Sequence, residues 1–243
     1  MTEPTAPPAG NPAPGGQRPT VTLQVGEFKL TGGAAGIALL VILALIVALI
    51  VYSRPTLSRW PLWVSGALWI AFFSYWGSAA KAAAPTKSSE SPASRRVHTR
   101  MLTGAFALLF LPIPGLRWHF LPDVSLSAVI GLGVQVAFFL LAISARKHLG
   151  RNWSGAITVA EDHQLVQSGP YRLLRHPIYT AMIGMFAGAA IVYGQLHAAA
   201  ALALMTGAYV RKIRLEEENL RGVFGAAYDD YRRKTWALVP GVF

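Results

Sequence analysis

"SGPYRLLRHPIYTAMIG", residues 168–184, passes from a turn through two arginines and a histidine into an apolar stretch. Ser168-Gly169-Pro170 reads as a turn, because glycine is free in φ and proline fixes it. His176 precedes Pro177 and is therefore biased towards an extended backbone. Pro177 itself suits the first position of a helix, where its missing N–H costs nothing. Arg175 and His176 then stand at a helix N-terminus, whose unpaired N–H groups and positive dipole end favour an anion. Two readings stay open at this point: interfacial anchors for a membrane helix, or the floor of a site.

Composition bears on that choice. The chain has 243 residues, of which 53% are hydrophobic and 14% charged, against about 25% charged in ordinary soluble domains. So little charge implies an integral membrane protein. The 22 Lys+Arg against 11 Asp+Glu cluster beside apolar runs, a pattern of membrane topology and not of nucleic-acid binding. Absence of cysteine excludes disulfides and thiolate metal sites. Residues 1–28, rich in Pro, Gly and Ala at their start, are expected to be a disordered tail. They lack the basic start and short apolar core of a cleaved signal peptide, so the first hydrophobic segment reads as a retained helix.

Four long apolar runs follow, at 32–52, 62–80, 101–121 and 125–144. Each approaches the ~20 residues that a helix needs to cross ~30 Å of hydrocarbon. "LPIPG" at 111–115 predicts a kink or early exit in the third. After a polar section come two shorter runs, 177–193 and 196–210, joined by "YGQL" and expected to form a helical hairpin or a pair of tilted helices. With the N-terminus inside and six crossings, nineteen basic residues fall inside and three outside, as the positive-inside rule requires. The expected fold class is an all-α polytopic membrane protein with five or six transmembrane helices and a cytosolic C-terminal cap. Its expected organisation is a tail (1–28), a four-helix membrane region (29–144) and a catalytic region (145–243).

Three polar clusters can carry chemistry. The first is the opening stretch, with Tyr179 one turn inside its helix. The second is "RKIRLEEENLRGVFGAAYDDYRR", 211–233, where Lys212–Glu216 and Arg214–Glu218 are i,i+4 pairs. By itself that pattern reads as a solvated helix, yet Glu216 sits just past an apolar segment, where a carboxylate is costly unless paired or used. The third is 149–171, where "ITVAEDHQLV" reads as a short hairpin or an irregular cap and His163 has a carboxylate neighbour in Asp162. No histidine pair has metal-ligand spacing, so no metal is expected. No phosphate-binding glycine loop or nucleophile elbow is present.

"HQLVQSGPYRLLRHPIY" (163–179), followed about 40 residues later by "EEENLRGVFGAAYDDYRRKTWALVPG" (216–241), resembles the isoprenylcysteine carboxyl methyltransferase family. It is similar also to the wider membrane methyltransferase group that includes the phospholipid N-methyltransferases. The matching region spans about 149–240. The resemblance implies S-adenosyl-L-methionine as cofactor, bound in a pocket open to the cytosol, with a lipid-like substrate entering sideways from the bilayer. By position it assigns His163, Leu165, Val166, Gly169, Tyr171, His176, Pro177, Tyr179, Glu216 and Glu217 to that cofactor. Glu216 is expected to hold the amino group of its methionine part. The family's substrate-positioning arginine falls on Lys212, so Lys212, Arg211 and Arg175 are the candidate catalytic residues. The block's last glycine is Ala181 here.

Methyl transfer to a carboxylate suits such residues, because the nucleophile is already ionised near neutral pH. What remains is alignment and exclusion of water. The expected function is methylation of an isoprenylcysteine-like or other lipidic carboxylate, with termini and active site cytoplasmic. The alternatives are a phospholipid N-methyltransferase, an NADPH-dependent enzyme of the sterol-reductase type, or a non-enzymatic membrane scaffold.

Overall fold

The computed structural model describes residues 22–25, 28–31, 60–80, 87–88, 90–111, 113–121, 125–150, 158–159 and 165–241. The apolar run 32–52 and His163 lie outside the described residues. The chain divides into two units, Met1–Gly36 and Ile37–Phe243. In the first, β1 (Thr22–Val25) pairs antiparallel with β2 (Phe28–Thr31), Thr22 facing Thr31. The hairpin takes up the last residues of the expected disordered tail. Threonine, valine, leucine and phenylalanine concentrate there, and these residues favour a pleated strand.

Helices dominate the second unit: α1 (Trp60–Ala80), α2 (Pro92–Phe110), α3 (Ser125–Leu149), α4 (Pro177–Tyr193), α5 (Leu196–Phe224) and α6 (Ala226–Lys234). A two-residue ladder, β3 (Lys87–Ser88) against β4 (Thr158–Val159), accompanies these helices. Of the two readings of 157–166, a short hairpin or an irregular cap, the hairpin does not supply the partner of β4, which lies about 70 residues upstream. By length and composition, Leu126–Leu149 is the one helix among the described residues able to cross a membrane.

Caps and prolines set the boundaries. Ser91 accepts a hydrogen bond from the Ser94 backbone N–H, and Pro92 occupies the first helical position, a strong start signal. The helix therefore begins nine residues before the apolar run that was expected to define it. It ends at Phe110, just before Pro112 and Pro114, which can neither donate nor continue a helix. The run 101–121 is thus half helix and half loop. Gly194 closes α4 in the left-handed conformation. Its carbonyl accepts from the Phe120 N–H (2.8 Å), so the 113–121 segment seats against the hairpin turn.

The core is aromatic. Trp69 is fully buried, with its ring centroid 5.1 Å from those of Phe106 and Phe186. Truncating such a ring to alanine costs about 3–5 kcal/mol. α3 and α4 meet through small residues. A Cβ on Gly188 would lie 2.6 Å from the Gly131 carbonyl and the Gln135 backbone, and one on Gly184 would enter the Phe138 ring. Such close backbone approach is how apolar helices associate without a hydrophobic gradient between them. α4 and α5 run antiparallel, so the start of α4 and the C-terminal half of α5 share one end of the hairpin. α2 packs along α5.

Candidate active site

At that shared end, the chain following α6 folds back on the approach to α4. Leu174 and Trp236 form a parallel bridge. The Arg175 N–H donates to the Trp236 carbonyl (2.7 Å), the His176 N–H to that of Ala237 (3.1 Å), and the Trp236 N–H to that of Leu173 (3.0 Å). The Tyr231 hydroxyl donates to the Tyr171 carbonyl at 2.7 Å, and the Thr180 hydroxyl to that of Leu238 at 2.9 Å. His176 is therefore held on its backbone by residues sixty positions away.

Two adjacent glutamates of α5 face this clasp differently. Glu217 receives Arg175 Nε at 2.7 Å, His176 Nε2 at 3.3 Å and Arg232 Nε at 3.3 Å. Burial alone would raise its carboxyl. The hydrogen bonds and charges of His176 and Arg175 outweigh that and hold it at about 2. Glu216 instead accepts one hydrogen bond, from the Tyr179 hydroxyl at 2.6 Å, and keeps 28% of its side chain exposed against 15% for Glu217. The same Tyr179 ring carries Lys212 Nζ 5.8 Å from its centroid, a cation–π arrangement. Lys212 and Glu216 are one turn apart on α5. A cation thus meets the face of one phenol and a carboxylate its hydroxyl.

Aromatic stacking extends this centre. His176 lies parallel to Tyr179 (5.4 Å, 3°), Tyr179 stacks on Tyr209 (4.7 Å), and His98 of α2 meets Tyr209 edge-on (5.7 Å). Burial pushes the Tyr171 phenol well up and the charge of Glu216 adds to it, so it stays protonated.

Of the residues singled out in the sequence, the structure brings together Arg175, His176, Tyr179, Lys212, Glu216 and Glu217. Pro177 opens α4 as expected. Val166 packs in a smaller cluster with Ala145, Tyr171 and Ile178, and Leu165 adjoins it half-buried. Gly169 has φ +57°, and a Cβ there would lie 2.3 Å from the His148 ring, so packing against α3 covers that face. Arg211 points towards α2, donating to the Ser94 hydroxyl at 2.9 Å. Arg175 is committed inside the fold: besides Glu217 it donates to the carbonyls of Arg232 and Thr235. Sequence reasoning missed Arg232, Tyr231 and His98. The i,i+3 spacing of Tyr228 and Tyr231 was a usable signal for a buried face of α6, whereas nothing local marks His98. Among the described residues no group of three His, Cys, Asp or Glu could hold a metal ion.

Comparison with known proteins bears on this arrangement. Residues 130–221 match the model of the isoprenylcysteine carboxyl methyltransferase (ICMT) family. A protein-S-isoprenylcysteine O-methyltransferase of Dictyostelium discoideum is 23% identical over 132 residues, covering 52% of this chain and 56% of that protein. Protein-S-isoprenylcysteine O-methyltransferase B of Arabidopsis thaliana is 29% identical over 132 residues (53% and 64%). A probable enzyme of the same name from Oryza sativa subsp. indica is 25% identical over 143 residues (58% and 75%). The chain thus spans little more than half the length of the Dictyostelium relative. The solved eukaryotic intramembrane Ras methyltransferase ICMT superposes over 86% of this chain and 75% of that one, at 19% identity and a TM-score of 0.45, too loosely to carry an argument. The matched region contains Arg175, His176, Tyr179, Lys212, Glu216 and Glu217, and over it this chain is similar to the isoprenylcysteine carboxyl methyltransferase family.

Proposed function

We propose that this chain is an integral membrane methyltransferase. It moves the methyl group of S-adenosyl-L-methionine to the carboxylate of an isoprenylcysteine-like lipidic acceptor at the cytosol–membrane boundary. The observation that carries this reading is Tyr179, with Glu216 on its hydroxyl and Lys212 over its ring. The donor's methionine part is zwitterionic and needs a carboxylate for its ammonium. Glu216 fits, having one hydrogen bond and an exposed edge, while Glu217 is consumed by Arg175, Arg232 and His176. The acceptor's carboxylate needs a cation, and Lys212 stands one turn away with Arg211 beside it.

When bound, the donor supplies an electrophilic methyl carbon: an acceptor oxygen lone pair forms the O–C bond as the C–S bond breaks, its electrons returning to sulfur. The products are a methyl ester and a neutral thioether, and no proton moves. No general base is therefore required. The residues orient and dehydrate. Lys212 fixes the carboxylate, Tyr179 sets the spacing, and the His176–Tyr179–Tyr209 stack excludes water. Good alignment of this kind contributes about 7–11 kcal/mol to lowering a barrier. Leu165, Val166, Gly169, Tyr171, His176 and Pro177 frame the rest of the donor pocket. Arg175 is a positioning residue for His176 and Glu217, whereas Lys212 and Arg211 meet the acceptor.

On this reading the 145–176 section and the chain beyond Arg211 lie on the cytoplasmic side, so a lipid tail bound at this centre can remain in the hydrocarbon. The test is transfer of labelled methyl from S-adenosyl-L-methionine by the full chain in lipid nanodiscs. The acceptors are a prenylcysteine analogue, an isoprenoid acid and phosphatidylethanolamine. Base-labile label on the carboxylic acids is expected. Label on the phospholipid alone, or affinity for NADPH with none for S-adenosylhomocysteine, overturns the reading.

A further inference from the structure

His98 stands on α2 one turn after Ser94, so both face α5. Ser94 accepts from Arg211 and donates to Glu90 at 2.8 Å. His98 lies edge-on to Tyr209, hydrogen-bonds the Ala208 carbonyl, and is only 8% exposed. A carbonyl can only accept, so the ring nitrogen on that side carries the hydrogen. The other, Nδ1, is then a lone-pair acceptor, and it is buried with no hydrogen-bond partner among the described residues. Arg211 Nη1 is likewise buried with no hydrogen-bond partner among the described residues. A buried acceptor on α2 and a buried donor on α5, both left unpaired, are unusual in a folded interior, where nearly all buried polar atoms are paired. Burial and the charges of Lys212 and Arg211 hold His98 at about 4, so the imidazole is neutral and keeps its lone pair.

A ligand that satisfies both orphans carries an anion for Arg211 and Lys212 and, close to it, an N–H or O–H donor for His98. A bare prenyl or fatty acid has only the first. An acid with an acylamino group next to the carboxylate has both. We propose that His98 is a specificity-determining residue, whose Nδ1 accepts a hydrogen bond from a donor group adjacent to the acceptor's carboxylate. The proposal rests on the methyltransferase reading above.

The experiment compares two acids with the same S-prenyl chain, one an N-acetylcysteine thioether and the other the thioether acid lacking the acetamido group. Methyl transfer by the full chain in nanodiscs is measured for each. The wild type is expected to favour the acylamino acid about 5- to 20-fold in kcat/KM, chiefly through KM, the size of one hydrogen bond to a buried acceptor. His98→Phe brings that ratio to about one, and His98→Asn, whose amide oxygen takes the place of Nδ1, restores it. His98→Met provides a second variant without an acceptor should the bulkier ring fail to fold. Equal use of both acids by the wild type, or a preference that survives in His98→Phe or His98→Met, overturns the proposal and leaves the methyltransferase reading standing. Methylation of neither acid removes both.

Discussion

Arg175 and Glu217 are joined at 2.7 Å across 42 residues, with 9% and 15% of their side chains exposed. Breaking a largely buried ion pair from one side strands the other charge, at about 3–5 kcal/mol. Arg175→Ala should therefore lower stability by about 3 kcal/mol or more, since two carbonyls lose their donor as well. Arg175→Lys should recover part of this, because it keeps the charge and loses the planar fork. Denaturation of the protein in detergent micelles, followed by circular dichroism, reads both. An unchanged midpoint in Arg175→Ala would remove the positioning role.

Glu216 and Glu217 should separate cleanly. Glu216→Gln keeps an acceptor for Tyr179 and removes the charge, so the fold should persist while affinity for S-adenosylhomocysteine falls about 10- to 100-fold, the worth of a charged hydrogen bond. Glu217→Gln should instead destabilise the protein, since Arg175 and Arg232 lose their counter-charge. Calorimetric titration beside a melting curve distinguishes them. Equal binding losses at equal stability would contradict the division of labour.

Acid should unfold the protein in two stages. Glu217, held at about 2 against an ordinary 4.5, stabilises the native state above pH 4.5 and loses that contribution as pH falls towards 2. His98, held at about 4 against 6.5, is native as the neutral ring, so its contribution is complete above pH 6.5 and is lost on the way down to 4. Each is worth on the order of 2–3 kcal/mol. Stability measured from pH 7 downward should begin to fall near 6.5 in the wild type, but only near 4.5 in His98→Asn.

Gly169→Ala meets two obstacles, a positive φ and the His148 ring. A loss of about 2–3 kcal/mol is expected. Adding His148→Ala should return the steric part and leave about 1 kcal/mol of backbone strain. If the double variant is no more stable than the single one, the ring is not the obstacle.

Much of the site's frame was legible locally. The His-Pro step announced the start of α4, "YGQL" announced the hairpin turn, and the carboxylate pair stood out beside an apolar run. Ser91-Pro92 was an equally plain start signal for α2. The apolar run beginning at Met101 drew the boundary instead, because hydropathy and helix limits follow different rules: caps are polar. The pairing of Leu174 with Trp236, and of β3 with β4, had no local mark, since two-residue ladders carry no periodicity. Arg175 read as a candidate catalytic residue able to face cofactor, substrate or lipid, because it stands at a helix start that favours an anion. The anion proved to be Glu217, which sequence spacing alone could not assign to it.

The Leu174–Trp236 bridge also orders events in time. Ribosomes make the chain from its N-terminus, so α4 and most of α5 exist before the strand that fixes the His176 backbone has been synthesised. Until then His176 lacks its long-range hydrogen bonds, and Glu217 lacks Arg232. Closing a loop of some sixty residues must follow hairpin assembly, because nearby contacts form before distant ones. The hairpin can therefore assemble while the centre on it is incomplete, and competence arrives only with the last stretch of the described chain.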